Sequence, residues 1–484
     1  MLRLTKSAKI SLILLSVFNL TSCGEKTIYE APVPTDVRVV EVTDVHGSAA
    51  AGWHLKDVPS GSYDLEFYTK SPQTFALPYV SVSGKMTAIK PSENVWSKNV
   101  IKGIRISDGS CAIDLHNGQG VEIRDLRLVT SPVNEYNLIK GGDVSLLSYV
   151  EDNGGKYHDA DGKPGDCLDI LKANGMNLVR LRLYKDPGNK DYYPSNTLPA
   201  GYQDENDILN LARRAKDKGM QILLSIHYSD YWTNGTDQYK PHEWENLSFE
   251  DLKKAVHDYT SDILKKMEAQ GTVPEFVAIG NEIQAGLLYP DGACTDPVKM
   301  CGLLNEGCAA VRETAPSAKI VLHSANGGDL TLYKWFYGLI HDYNVDYDVI
   351  GVSYYPFWTS LWASQIRYWA DRIIDIFNKD ILIVETGYAW NQTLPDGTPG
   401  QLSHNGPYNE FSKLGQRDFI ADLSNQIKQV KSGRVLGYVY WDPIFIEVPG
   451  LGWILGEKNY VSNTTLFGFG GERLPVLDAY KYNN

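Results

Sequence analysis

Glu282 and Glu385 each close a short apolar run, Pro274-Glu-Phe-Val-Ala-Ile-Gly-Asn-Glu282 and Asp380-Ile-Leu-Ile-Val-Glu385, and lie 103 residues apart. A carboxylate at the point where a buried strand meets a loop is well placed for chemistry. Two such groups facing each other can divide the roles of acid and nucleophile, the division that glycosidic-bond hydrolysis needs. An Asn-Glu pair at a strand end is also an ordinary helix cap, so the pair needs support from elsewhere in the chain.

That support comes from the elements that carry the glutamates. Eight buried-strand runs alternate with helical stretches: Leu138 to Val144, Leu178 to Leu183, Gln221 to His227, Phe276 to Asn281, Lys319 to Ser324, Val349 to Tyr355, Ile381 to Thr386 and Val435 to Trp441. Polar residues gather at their C-terminal ends: Asp143, Arg180 with Arg182, His227 with Asp230 and Trp232, Asn281 with Glu282, His323, Ser353 with Tyr355, Glu385, and Trp441 with Asp442. Arg180 and Arg182 are two apart and so share one strand face. Buried charge is costly unless paired, and stability alone gives no reason to collect these groups at one rim. Eight β/α units in about 350 residues predict an α/β fold, a (β/α)8 TIM barrel with its reactive groups at the C-terminal strand ends. A doubly wound open sheet is the alternative, but it has no use for eight units with acidic strand ends.

The barrel is expected over 137–484. Residues 34–134 show short alternating runs, such as Ser62-Tyr-Asp-Leu-Glu-Phe-Tyr68 and Val121-Glu-Ile-Arg-Asp-Leu-Arg-Leu128. They predict a small N-terminal β-sandwich domain. Its aromatics Trp53, Tyr63, Tyr68, Tyr79 and Trp96 fit a sugar-binding platform or a core equally well. Before it, residues 23–33 look like a tether. Residues 1–22 look like a lipoprotein signal peptide: Arg3, Lys6 and Lys9 precede an apolar stretch, Ile10 to Leu20, too short to span a bilayer. The stretch ends in Leu20-Thr-Ser-Cys23, similar to a bacterial lipobox, which implies cleavage before Cys23 and lipidation of its thiol. The expected location is the cell envelope of a bacterium, at the outer membrane or cell surface. Acyl chains contribute about 0.8 kcal/mol per buried CH₂, enough for several to hold a protein at a membrane.

Loss of Arg3, Lys6 and Lys9 takes the net charge from −13 to −16. Such a surface lacks the electrostatic footprint of a nucleic-acid binder and tolerates a neutral glycan. Five cysteines remain, Cys111, Cys167, Cys294, Cys301 and Cys308. Their number is odd, and Cys294 and Cys301 flank a loop short enough to pair in an oxidising compartment. No Cys/His cluster suggests zinc.

The segment Val277-Ala-Ile-Gly-Asn-Glu282-Ile-Gln-Ala-Gly-Leu-Leu-Tyr-Pro290 resembles the acid/base motif of glycoside hydrolase family 53, the endo-β-1,4-galactanases of clan A. Gly142-Asp143-Val-Ser, Asn177-Leu-Val-Arg180-Leu-Arg182, His227-Tyr-Ser-Asp230-Tyr-Trp232, Gly351-Val-Ser-Tyr-Tyr355-Pro, Val384-Glu385-Thr and the ending Thr464-Thr-Leu-Phe-Gly-Phe-Gly-Gly-Glu-Arg-Leu-Pro475 are similar to the family's corresponding segments. The resemblance spans roughly 138–482. It implies a retaining hydrolase of galactan side chains in pectin, with Glu385 as nucleophile and Glu282 as acid/base. It implies supporting or substrate-binding roles for Asp143, Arg180, His227, Asp230, Trp232, Asn281, His323, Tyr355 and Trp441. Arg180 is expected to lower the pKa of Glu385, Tyr355 to orient it, and Asn281 to meet a sugar 2-hydroxyl.

The chain departs from the pattern in places. Tyr289 stands where the family usually has Trp, Ala325-Asn-Gly-Gly328 where it often has Asp-Asn-Gly-Trp, and Trp441-Asp442-Pro where it has Trp-Glu-Pro. Some bacterial members hold Ca²⁺ in the loop after strand seven. Here that loop, Asn391 to Asn405, offers one acid, Asp396, and no cofactor is required by the chemistry. Galactan and galacto-oligosaccharides are the expected partners of a monomer. Another clan A substrate (mannan, xylan or arabinogalactan) and a non-catalytic surface glycan-binding lipoprotein remain as alternative readings.

Overall fold

The computed structural model describes residues 51–93, 95–131, 136–191, 193–430 and 433–482, with the backbone of two short strands, Ile10–Ser11 and Val39–Val42. The remainder of the proposed signal peptide and tether, Cys23 included, lies outside the described residues. Two compact units are present, one of residues 1–137 with 482–484 and one of residues 138–481.

The first unit consists of two antiparallel sheets. One runs in the order Ile10–Ser11, Val39–Val42, Glu122–Thr130, Gly61–Lys70, Ser97–Ile106, and the other Ala51–Lys56, Ser110–His116, Tyr79–Val82, Lys85–Ala88. Alternation along Gly61–Lys70 buries Tyr63, Leu65 and Phe67. They share a core with Val80, Ile113 and Leu128 from the neighbouring strands. Tyr63 is thus core, and Trp53 packs half-buried against it. Trp96 lies under the Arg124 guanidinium, 4.3 Å from its ring centre.

The second unit is a closed barrel of eight parallel strands. They are β1 (Ile139–Asp143), β2 (Leu178–Leu183), β3 (Gln221–Ile226), β4 (Phe276–Ile279), β5 (Lys319–Ser324), β6 (Val349–Ser353), β7 (Asp380–Thr386) and β8 (Val435–Tyr440). Each boundary falls within two residues of the sequence expectation. Helices such as Glu205–Asp217, Phe249–Ala269, Pro297–Thr314 and Lys413–Lys428 alternate with the strands. Asp204 and Ser248 cap the first two by accepting from the N–H three residues on, a contribution of about 1 kcal/mol each. Helix Phe249–Ala269 buries Leu252, Val256, Ile263, Leu264 and Met267 on its inner stripe.

Inside the barrel, Leu178, Leu223, Phe276, Val321, Val349, Leu382 and Val439 form an apolar layer. Arg180, Arg182 and Ser225 follow two and four residues further along the inward faces, so a polar layer lies nearer the C-terminal rim. Closure between β8 and β1 is tight. A Cβ on Gly437, at φ +152°, would come 2.0 Å from the Ile139 carbonyl oxygen, so only glycine fits. The five cysteines Cys111 to Cys308 are all free thiols, so Cys294 and Cys301 are not joined.

Candidate active site

The two glutamates reach the rim through local irregularities at their strand ends. Beyond β4 the backbone turns through Gly280 at φ +80° and Glu282 at φ +49°. A left-handed conformation at a non-glycine residue is strained, and such strain concentrates at functional positions. On β7 the pairing register shifts on both sides of Glu385, against β6 and against β8. A bulge re-aims a side chain, and here Glu385 enters the barrel mouth although Val384 beside it lies in the core layer.

A carboxylate oxygen of Glu282, one of Glu385 and a ring nitrogen of His323 all lie within 4.8 Å of one another. Arg180 donates Nη1–H to Glu385 Oε1 at 2.5 Å and Nη2–H to Asn281 Oδ1 at 2.8 Å. Tyr355 donates its hydroxyl to Glu385 Oε2 at 3.2 Å. Glu282 is held at Oε1 by Ser353 Oγ, 2.7 Å away, and at Oε2 by the Gly235 N–H at 3.1 Å. Below them Asp143 lies between the two guanidiniums, 3.5 Å from Arg180 and 3.4 Å from Arg182. Arg182 in turn donates to Asp442 Oδ1 at 2.6 Å, whose Oδ2 accepts from Trp453 Nε1 at 2.6 Å.

Two buried guanidiniums therefore face Asp143, Asp442 and Glu385, and among the described residues no cation pairs directly with Glu282, on which Arg180 acts only through space. Burial first, and then the negative charge of Glu385, pushes the Glu282 carboxyl up to about 7. Glu385 is also raised, because burial outweighs the pull of Arg180 on it. The expected lowering by Arg180 is present but is the smaller effect. Of two carboxylates this close, the one touching the guanidinium keeps the charge and the other keeps the proton. Burial, and then the charge of Arg180, holds both His227 and His323 well below the usual histidine range, so both rings are neutral.

A cleft of about 530 Å³ opens over the pair, lined by Trp232, Asn281, Glu282, Tyr355, Trp358, Glu385, Trp441 and Trp453. Trp232 stacks on Trp453 with ring centres 4.8 Å apart and meets Trp441 edge-on at 6.1 Å. Trp441 lies over Arg182, 4.3 Å from its ring centre. Each Trp has a covered side, and the cleft receives what remains.

Most residues singled out in the sequence meet here, and Asp230 does not. Asp230 is buried but accepts from the Asp186 and His242 backbone N–H groups at 3.0 and 2.8 Å, so it organises neighbouring loops. His227 bonds Thr233 Oγ1 through Nδ1 at 2.6 Å and, like Arg180 and His323, supports the site from outside the cleft lining. Ser353 and Gly235, which contact Glu282, and Trp358 and Trp453, which line the cleft, are not among the predicted site residues. Ser353 had a legible signal, since it is a polar residue closing β6, two residues before Tyr355. Trp453 had none, being a loop residue twelve positions beyond Trp441. The departure at Asp442 has a structural role, since its carboxylate bridges Arg182 and Trp453.

Cation binding finds little support. His323 has both ring nitrogens engaged, by Asn281 and Ser353, and Arg180 already supplies positive charge to the trio. In the loop after β7, Asp396 accepts from Lys458 Nζ at 2.9 Å and from the Thr398 hydroxyl at 2.6 Å. The loop's one acid is thereby matched by the protein's own ammonium, and the residues present do not fit a Ca²⁺ site.

A (β/α)8 barrel with two facing glutamates at its C-terminal rim and tryptophans along the cleft defines a glycoside-hydrolase-type protein. The chain belongs to glycosyl hydrolase family 53, whose model matches residues 139–480. An endo-beta-1,4-galactanase of Bacillus subtilis is 31% identical, with 75% of this chain and 90% of that protein covered. The Ignisphaera aggregans GH53 catalytic domain is 36% identical with a TM-score of 0.68, over 72% of this chain and 97% of that one. A structure of fungal beta-1,4-galactanases is 29% identical with a TM-score of 0.62, over 71% and 99%.

Proposed function

We propose that the protein cleaves internal β-1,4-galactosidic bonds in the galactan side chains of pectin by a retaining double displacement. The carrying observation is the spacing of Glu282 and Glu385, whose facing oxygens lie within 4.8 Å. Retaining glycosidases hold their carboxyl groups about 5–5.5 Å apart, whereas inverting enzymes leave a wider gap for water. Substrate and endo action are carried over from the galactanases that the chain resembles.

Glu385, charged beside Arg180, attacks the anomeric carbon and forms a glycosyl-enzyme. Glu282 protonates the departing oxygen, then takes a proton from the incoming water. Tyr355 fixes one oxygen of the nucleophile. Asn281 lines the cleft, anchored through Oδ1 to Arg180 and through its amide nitrogen to the Thr233 carbonyl at 3.5 Å, and a sugar 2-hydroxyl is expected beside it. Trp232 and Trp441 supply apolar surface for pyranose faces.

The test is digestion of linear β-1,4-galactan by the protein lacking residues 1–23, with Glu282→Ala and Glu385→Ala alongside. Oligosaccharides of mixed length appearing early, and lost in both variants, are the expected result. No release from galactan overturns the substrate assignment.

We further propose that lipidation of Cys23 holds the enzyme, as a monomer, at the bacterial cell envelope. The support is Leu20-Thr-Ser-Cys23 following the apolar stretch Ile10 to Leu20. Cys23→Ala is expected to release the protein from membranes, and unchanged fractionation contradicts the anchor.

A further inference from the structure

Ser353 stands between Glu282 and His323. Its Oγ lies 2.7 Å from Glu282 Oε1 and 2.8 Å from His323 Nε2, and one hydroxyl has one proton to give. Which neighbour receives it depends on the far side of the imidazole. There, His323 Nδ1 lies 3.0 Å from Asn281 Oδ1, the oxygen that accepts Arg180 Nη2–H at 2.8 Å. The guanidinium fixes the amide, because turning it over would aim an NH₂ at a cation. An oxygen held 3.0 Å from a ring nitrogen calls for a proton on that nitrogen. The Glu282 N–H also approaches Nδ1, but at 3.4 Å it is the weaker claim.

Neutral His323 then carries its hydrogen on Nδ1 and a lone pair on Nε2. The Ser353 hydroxyl donates to Nε2, and only oxygen lone pairs remain toward Glu282. The hydrogen between Oγ and Oε1 must be the carboxyl's own. We propose that Ser353 and His323 are positioning residues that hold Glu282 as a hydrogen donor, through a chain of fixed polarity running from Arg180 through Asn281. One guanidinium thus biases both glutamates, keeping Glu385 charged by contact and Glu282 protonated through three intermediaries.

The inference rests on the proposed acid/base role of Glu282. In the first step the carboxyl hydrogen leaves the Ser353 Oγ lone pair, turns to the glycosidic oxygen and passes to it, and the Ser353 O–H turns to the new carboxylate, leaving Nε2 without a donor. In the second step Glu282 takes a proton from water and Ser353 turns back. Ser353 and His323 keep their own protons throughout. The other titratable or charged groups around Glu282 are Glu385, Arg180, Tyr333 and Tyr355, with His227 behind His323 and Asp143, Arg182 and Asp442 beyond Glu385. Both tyrosines are raised well above their ordinary range, so they stay neutral near pH 7.

The experiment is the pH dependence of kcat/KM on soluble β-1,4-galactan for the wild type, Ser353→Ala and Ser353→Thr. If Ser353 accepts from Glu282, its removal destabilises the protonated form. The basic limb of Ser353→Ala then moves to lower pH by about one unit, the scale of one hydrogen bond, while Ser353→Thr keeps the wild-type limb. If Ser353 merely donates to a carboxylate, the limb moves up or stays, and the proposal fails. A second readout needs no variant to be active: in wild type with ¹⁵N-labelled imidazoles, His323 is expected to carry its proton on Nδ1 below pH 6, and a proton on Nε2 overturns the chain. Loss of turnover in Glu282→Ala tests the acid/base role separately, so the two failures are distinguishable.

Discussion

Arg180 donates to Glu385 at 2.5 Å from a position only 1% exposed, and the same side chain touches Asn281 and approaches Asp143. One planar fork holds Glu385, Asn281, Ser225 and Asp143 in a fixed geometry that the point charge of an ammonium does not reproduce. Arg180→Lys is expected to lower kcat/KM by about 10²-fold or more, because the nucleophile loses its fixed geometry. Arg180→Ala leaves buried carboxylates unpaired and is expected to cost about 3–5 kcal/mol of stability. Steady-state kinetics and thermal melts check both, and a native melting temperature in Arg180→Ala contradicts the reading.

Glu282 links activity and stability to pH with the same sign. Its carboxyl lies at about 7 in the folded protein against 4.5 ordinarily. Activity needs its proton and should fall as pH rises through about 7. The folded state also keeps a proton that the unfolded chain has released over the window from 4.5 to about 7, so the contribution to stability declines as pH rises across it. Glu282→Gln removes that decline. Its melting temperature should exceed that of the wild type above pH 7, by an amount worth about 1–3 kcal/mol, and the gap should close near pH 4. A constant gap across that range rules out Glu282 as the titrating group.

The two cleft tryptophans should separate in kinetics. Trp232 rests on Trp453, with the Arg182 guanidinium 5.9 Å from its ring centre, and Trp232→Ala is expected to raise KM for galacto-oligosaccharides several-fold with kcat nearly kept, as befits a lost stacking surface of about 1 kcal/mol. Trp441 also covers Arg182 and lies 5.3 Å from Arg180. Trp441→Ala should lower kcat as well. Equal effects on both parameters in the two variants would remove the distinction.

With Asp396 bonded to Lys458, the loop after β7 is expected to hold its shape without a divalent cation. Prolonged treatment with a chelator should leave the melting temperature and turnover unchanged. A fall restored by Ca²⁺ would contradict this.

Much of the barrel was legible because its strands are buried on both faces and read as apolar runs, each ending in a polar residue that the core has no use for. Glu282, Glu385, Arg180, Asn281 and Tyr355 announced themselves in this way. Asp230 looked the same in sequence, yet its partners are the backbone amides of Asp186 and His242, which no local pattern reveals. Asp442 read as a departure from the family's Trp-Glu-Pro, and its partner Arg182, 260 residues away, could not be read from the local pattern. Trp453 was invisible because it lies in a loop and stacks on the distant Trp232. The bulge that turns Glu385 inward leaves no trace in Ile-Val-Glu-Thr, since it arises from pairing with both neighbouring strands. Sequence shows the cation that lowers the pKa of Glu385 but not the depth of burial that outweighs it.

The central claim is a double displacement by Glu385 with help from Glu282. Its most direct test is proton NMR of the first-formed products during rapid cleavage of a β-1,4-galacto-oligosaccharide, before mutarotation. Accumulation of the β-anomer at the new reducing end is predicted. The α-anomer appearing first would mean inversion, and would contradict the roles assigned to both glutamates.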